Sequence, residues 1–192
     1  MIDLYSYFSE NLFQFFGVLF SIVYVVFSIK QNILCWPALI IGSIFNILAY
    51  YQINLNLQLI MQFFFIGTGI IGWLNWNKTS KKNMLKVNRI TLNKHLLWIF
   101  IGLLTTIILT VTLKNYNLSE FPFFDSLMFC FNIIPMYMIG KKILESWIYF
   151  IVIDIISGAF YLQTKEYFFC FLFFCYIGFA INGYLSWKKD FK

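Results

Sequence analysis

The stretch Gly-Trp-Leu-Asn-Trp-Asn-Lys at residues 72–78 returns 111 positions later as Gly-Tyr-Leu-Ser-Trp-Lys-Lys at residues 183–189. The similarity continues backwards without a gap, so that residues 30–78 align with residues 141–189. The rarest residues of the two segments coincide: Trp36 with Trp147, Gly67 with Gly178, Gly72 with Gly183, and Trp76 with Trp187. A background of Phe and Ile does not produce such matches easily. The sequence therefore predicts two copies of one structural unit, a pattern that many membrane transporters share.

Composition indicates that these units lie in a membrane. The 192 residues are 61% hydrophobic and only 11% charged, whereas a soluble domain carries about a quarter charged residues. Segments of roughly 17 to 25 apolar residues are needed to cross a bilayer. Seven segments satisfy this: approximately 11–29, 33–51, 58–77, 95–113, 124–140, 146–162 and 167–187. We therefore expect an all-α integral membrane protein with seven transmembrane helices.

The distribution of positive charge predicts the orientation. With the N-terminus outside, all but two of the 14 Lys and Arg residues, Lys114 and Lys165, fall on the inner side. Inner loops of membrane proteins carry this excess, so the C-terminus is expected in the cytoplasm of a bacterial inner membrane. The net charge of +6 then reflects contact with anionic lipid, and nucleic-acid binding is the poorer interpretation.

The repeat and the span count together predict the domain organisation. Spans 1–3 correspond to spans 5–7, and span 4 supplies the extra crossing that lets the second copy enter from the same side. The two copies should therefore be parallel repeats. We expect a first three-helix bundle at residues 1–77 and a second at residues 124–192. Residues 78–123 would contain a basic cytoplasmic loop, linker helix 4 and an outer loop.

Polar side chains inside the spans are the candidate binding residues. Asp154 is the strongest, because a carboxylate near mid-span costs about 2.5–3.5 kcal/mol. With Gln62, Asn132, Asn182, Trp73 and Trp76, it predicts an aromatic cage suited to a flat, polar or cationic heterocycle. Structural interpretations stay open: a protonated or hydrogen-bonded Asp, amides that join helices, and tryptophans of an interfacial belt.

Four ordered segments resemble the PnuC family of bacterial nicotinamide riboside transporters. They are 121–126 (Phe-Pro-Phe-Phe-Asp-Ser), 141–147 (Lys-Lys-Ile-Leu-Glu-Ser-Trp), 72–76, and the closing Asn182-Gly183 with Trp187. The resemblance extends from about residue 10 to residue 188. It implies a full-length SWEET-like fold of 3+1+3 helices, facilitated diffusion of a riboside and trapping by a cytoplasmic kinase, and it is compatible with a homotrimer. The site residues that it implies are Gln62, Trp73, Trp76, Asn182 and Trp187.

Some features of the sequence also fit other assignments. The chain departs from the family pattern at Gly69 and Asp154, where the family has Asn, and Asp154 would also accept thiamine, the expected substrate of a sister branch. A membrane enzyme is disfavoured because His95 is the single histidine and no phosphate-binding loop is present; no cofactor or metal is expected. A sensor or assembly subunit without transport activity remains the alternative outside the family.

Overall fold

The computed structural model describes residues 12–52, 56–77, 85–165 and 167–191, without the side chains of residues 56 and 167–169. Seven helices lie within this part of the chain. They are α1 (Leu12–Ile29), α2 (Cys35–Gln52), α3 (Asn56–Asn77), α4 (Leu92–Asn115), α5 (Pro122–Gly140), α6 (Ser146–Gln163) and α7 (Tyr167–Asp190). Each corresponds to one predicted span, so the all-helical membrane fold is confirmed.

Six of the seven helices are long and apolar enough to cross a membrane. The exception is α2, which has 18 residues but includes the polar Ser43, Asn46 and Gln52. That α2 also crosses the bilayer therefore stays a prediction. Lys78, Lys81 and Lys82 of the predicted basic loop lie outside the described residues.

The chain divides into two compact units, unit 1 at residues 1–84 and unit 2 at residues 85–192. In unit 1, α2 packs against both α1 and α3. In unit 2, α6 packs against both α5 and α7, and α4 packs against α5. Helix α4, the predicted linker, thus packs with the helices of unit 2. The predicted three-part division remains a prediction.

Each unit contains the same arrangement of two tryptophans and a glycine, which we call the tryptophan clamp. In unit 1 the rings of Trp36 and Trp76 meet edge to face, with centroids 5.2 Å apart and planes at 85°. A Cβ atom added to Gly72 would lie 2.4 Å from the Trp36 ring. Only glycine therefore lets α3 approach that ring so closely.

The clamp of unit 2 uses the residues 111 positions later. Trp147 and Trp187 meet edge to face at 5.4 Å and 89°. A Cβ atom on Gly183 would lie 2.5 Å from the Trp147 ring. Three of the four rare pairs that revealed the repeat in the sequence thus join two helices in each unit: Trp36 and Trp147, Gly72 and Gly183, and Trp76 and Trp187.

The correspondence extends into helices that the aligned segments do not include. Ser21 Oγ donates a hydrogen bond of 2.8 Å to the Gly17 carbonyl of α1. Asn132 Nδ2 donates one of 2.7 Å to the Met128 carbonyl of α5. The two donors are 111 positions apart in the sequence, and so are the two acceptors. We therefore extend the internal similarity to α1 and α5.

A short strap, residues 85–91, fixes the start of α4 within unit 2. Asn88 N donates to Lys142 O and Asn88 O accepts from Leu144 N, each at 2.9 Å, and Asn88 Nδ2 donates to Lys141 O at 2.9 Å. Arg89 lies 3.6 Å from Glu145. The N-terminal end of α4 is thereby held against the loop between α5 and α6.

Candidate substrate-binding residues

Asp154 lies in the middle of α6 and is 7% exposed. No described residue forms a hydrogen bond or ion pair with its carboxylate. A buried carboxylate in a membrane protein usually has such a partner. The position therefore suits a group that a ligand supplies.

Gln62 lies in α3 of unit 1 and is 3% exposed. Its Nε2 atom donates one long hydrogen bond of 3.4 Å to the Gln58 carbonyl in the preceding turn. An amide can make up to four hydrogen bonds, so most of its hydrogen-bonding capacity is available. Gln62 and Trp76 are separated by about 21 Å along the helix, at 1.5 Å per residue.

The three predicted tryptophans occupy two kinds of environment. Trp76 and Trp187 are buried within the tryptophan clamps, where each ring already contacts another indole. Trp73 is 41% exposed and lies beside the clamp of unit 1 in sequence. Of the three rings, Trp73 presents the most surface for a contact outside its own unit 1 helices.

The two predicted asparagines also differ. Asn132 uses its Nδ2 donor within α5, in the bond to the Met128 carbonyl, and is partly buried. Asn182 is exposed on α7, and no described residue forms a hydrogen bond with its amide. Because an amide facing hydrocarbon is costly, the α7 surface at Asn182 suits contact with water, a ligand or another protein surface.

The structure thus brings Asn132, Asp154, Asn182 and Trp187 into unit 2, and Gln62, Trp73 and Trp76 into unit 1. Within the described helices, every Lys and Arg lies near a helix end: Lys94 and Lys114 in α4, and Lys188 and Lys189 in α7. Asp154 is thus the one acidic or basic side chain in the middle of a described helix. Among the described residues, no group of three His, Cys, Asp or Glu side chains forms a metal site.

Two polar residues of α2 escaped the sequence analysis. Ser43 is 2% exposed, and Asn46 is partly buried with its Oδ1 atom against Gly17 of α1. The internal repeat contained a signal for the first, because Ser43 aligns with Asp154.

Comparison with known proteins identifies the family. The sequence model of the nicotinamide mononucleotide transporter family matches residues 11–189. The chain belongs to this family. The predicted resemblance is therefore confirmed, and the protein is a multi-pass membrane transporter of this family.

Two relatives of this chain are named as nicotinamide riboside transporters. The chain is 27% identical over 171 residues to the nicotinamide riboside transporter PnuC of Escherichia coli K12, covering 76% of this chain and 71% of that one. The PnuC protein of Shigella flexneri gives the same values. A crystal structure of the vitamin B3 transporter PnuC matches 97% of this chain and 84% of its own, with a TM-score of 0.78 and 16% identity. At that identity the structural similarity supports the fold alone.

Proposed function

We propose that this protein imports nicotinamide riboside by facilitated diffusion and that Asp154 faces the positive charge of the substrate. The observation that carries the proposal is the buried Asp154 carboxylate, which has no partner among the described residues. Nicotinamide riboside contains a pyridinium ring with one positive charge. A carboxylate in a low-dielectric environment attracts such a ring more strongly than it would in water.

Charge also favours a riboside over a mononucleotide, although the family name mentions the latter. A mononucleotide adds a phosphate group, and anionic phosphate is bound in proteins by Arg, Lys or helix N-termini. The middle of every described helix lacks Lys and Arg. Asp154 would in addition repel the phosphate. We infer that the phosphate form is a poor substrate.

The proposed mechanism is alternating access between two parallel three-helix repeats, with a SWEET-like arrangement of 3+1+3 helices. The repeated tryptophan clamps support it, because equivalent residues make equivalent contacts in units 1 and 2. We propose an inner-membrane location with the N-terminus outside, no direct energy coupling, and trapping of the riboside by a cytoplasmic kinase. A homotrimer is part of the same family-based proposal, as are the binding roles of Gln62, Trp73, Trp76, Asn132, Asn182 and Trp187.

Thiamine is the second candidate substrate. Its thiazolium ring is also a flat cation, and the same unpartnered Asp154 favours it. It has no ribose, so a site that requires sugar hydroxyls would reject it. A sensor or assembly subunit would need none of these polar residues, and substitutions among them would leave its activity intact.

Calorimetric titration of the purified protein in detergent tests the substrate assignment. The ligands are nicotinamide riboside, nicotinamide mononucleotide, thiamine and ribose, at equal ionic strength because charge contributes. We expect riboside to bind more tightly than the other three. Preference for the mononucleotide would refute the role of Asp154 as a counter-charge. Preference for thiamine would instead assign the protein to the sister branch that is expected to transport thiamine.

A further inference from the structure

We propose that the groove between the start of α5 and the end of α6 binds a phospholipid with a primary ammonium headgroup, such as phosphatidylethanolamine. This groove has a volume of about 650 Å³, and all of its lining residues belong to unit 2. Both helices are long and apolar enough to cross a membrane, so lipid surrounds them. The inference concerns this lipid and does not depend on which substrate the protein transports.

The walls of the groove are apolar and belong to two neighbouring helices. Five residues between Ile155 and Gln163 form the α6 wall, and their spacing places them on one face of that helix. The opposite wall is the first two turns of α5, with Leu127 at its far end. Phe160 joins the two walls, because its ring stacks on Phe124 with centroids 3.6 Å apart. Since Ile155 is 52% exposed, the groove is open at the surface, and an acyl chain can enter from the side.

The two repeats differ at this groove, and the difference explains why unit 2 contains it. In unit 1 the rings of Phe16 and Phe45 stack between α1 and α2, with centroids 5.2 Å apart. The residues 111 positions later are Leu127 and Ile156, and both line the groove. Ala159, another lining residue, stands where unit 1 has a leucine. Unit 2 therefore has smaller side chains at the positions where unit 1 has a stacked aromatic pair.

The contact one turn deeper between the same helices also differs. A Cβ atom added to Gly17 would clash with the amide of Asn46, so α1 and α2 approach each other without an intervening side chain. The counterpart of Gly17 is Met128, whose Sδ atom accepts a hydrogen bond of 2.9 Å from Ser157 Oγ. A methionine side chain thus occupies space between α5 and α6, where unit 1 has a glycine.

Glu120 gives the rim of the groove a negative charge. Of the lining residues, only Glu120 and Gln163 are polar, and both are exposed. No described residue forms an ion pair with the Glu120 carboxylate. A primary ammonium group has three N–H donors, and carboxylate and amide oxygens accept such hydrogen bonds. An ammonium headgroup at this rim would therefore find acceptors while its acyl chain lies in the apolar groove.

The same chemistry distinguishes among membrane lipids. The quaternary ammonium of phosphatidylcholine carries the same charge but has no N–H donor. The headgroup of phosphatidylglycerol is anionic, and the Glu120 carboxylate would repel it. All three lipids can place an acyl chain in the groove, where burial of apolar area supplies the free energy of binding. The headgroup then decides which lipid binds most tightly.

Native mass spectrometry of the full-length protein tests the proposal by measuring the apparent Kd of the first bound lipid. Phosphatidylethanolamine, phosphatidylcholine and phosphatidylglycerol with identical acyl chains are added separately. Glu120→Gln removes the charge, and the double variant Leu127→Phe with Ile156→Phe fills the groove with the residues of unit 1. The matched control is Val152→Ile, which also introduces the unit 1 residue, at an exposed α6 position outside the groove.

We expect the wild type to bind phosphatidylethanolamine about two- to fivefold more tightly than phosphatidylcholine, the range for an ion pair at an exposed site. Phosphatidylglycerol should bind most weakly. Glu120→Gln should abolish these differences, whereas the double variant should bind all three lipids about tenfold more weakly, because apolar contact area is lost. Val152→Ile should match the wild type. Ala159→Leu, a smaller filling change, replaces the double variant if the latter does not fold.

Other results overturn the proposal. Equal binding of the three lipids by the wild type, or an unchanged preference in Glu120→Gln, would refute selection of the headgroup by Glu120. Wild-type lipid binding by the groove-filling variant would show that the groove is not the site. If that variant instead loses an oligomer that the wild type forms, a second copy of the chain covers the groove and the lipid assignment is wrong.

Discussion

Asp154 is the residue on which the charge selectivity depends in our account. The sequence alone predicted that placing this side chain in the membrane costs free energy, because Asp154 lies within an apolar segment. The structure adds that the carboxylate is buried and lacks a partner among the described residues. Sequence periodicity does not provide that second fact, since any neighbouring helix can supply a hydrogen-bond donor.

We predict that Asp154→Asn weakens nicotinamide riboside binding roughly ten- to a hundredfold, the range for hydrogen bonds to charged groups. The amide keeps the shape and removes the charge. Asp125→Asn is the matched control in the same unit, because Asp125 already accepts a hydrogen bond from Ser119. Equal binding by wild type and Asp154→Asn in calorimetry would show that the carboxylate is neutral or structural.

Asn46 illustrates what the sequence did not reveal at this scale. Its neighbours in sequence are apolar, and its repeat counterpart is Ser157, so neither pattern nor repeat singled it out. Its amide packs against Gly17, which lies 29 positions earlier. Such contacts are set by the approach of two helices and are not encoded in the local pattern of either one.

The tryptophan clamps belong to the scale of helix pairs. The repeat predicted that Trp36, Trp76, Trp147 and Trp187 are equivalent, and the structure gives the reason: each pair joins two helices over a glycine. The sequence interpretation placed Trp76 and Trp187 in the binding site. Their edge-to-face packing adds a structural role for both rings.

We expect Gly72→Ala and Gly183→Ala to destabilise the protein by about 1–3 kcal/mol, the usual range for overpacking. The added methyl group would lie within 2.5 Å of an indole ring in each clamp. Gly67→Ala and Gly178→Ala are the controls, because the same change there meets open space. In these controls we expect only the stabilisation of about 1 kcal/mol that alanine gives a helix relative to glycine.

Thermal unfolding in a single detergent ranks these four variants. We expect both clamp variants to unfold at a lower temperature than both controls. Clamp variants as stable as the controls would mean that the rings move aside without cost. The repeat would then reflect ancestry and would not reflect a common packing requirement.

Helix limits show where hydropathy is informative and where it is not. Predicted span 4 began at residue 95, whereas α4 begins at Leu92; predicted span 7 ended at residue 187, whereas α7 ends at Asp190. In both cases the helix continues through charged residues, Lys94 or Lys188 and Lys189. Hydropathy detects the hydrocarbon boundary, while a helix continues into the interface wherever its backbone bonds are satisfied.

At the scale of the whole molecule, composition and repeat were sufficient to predict an all-helical membrane protein with two similar halves. The confirmed part is the seven-helix membrane fold and the family. The parallel 3+1+3 arrangement, the orientation of the termini and the trapping by a kinase remain proposals. They concern the bilayer, motion and other proteins, which the contacts within one chain do not determine.

Uptake of labelled nicotinamide riboside into proteoliposomes that contain no kinase is the decisive experiment for the proposed transport. We predict that riboside enters and stops at equal inner and outer concentrations, and that Asp154→Asn slows entry. Addition of a riboside kinase and ATP inside the vesicles should then raise the trapped label well above that level. Absence of uptake, or accumulation of unmodified riboside above the outer concentration, would contradict facilitated diffusion of this substrate.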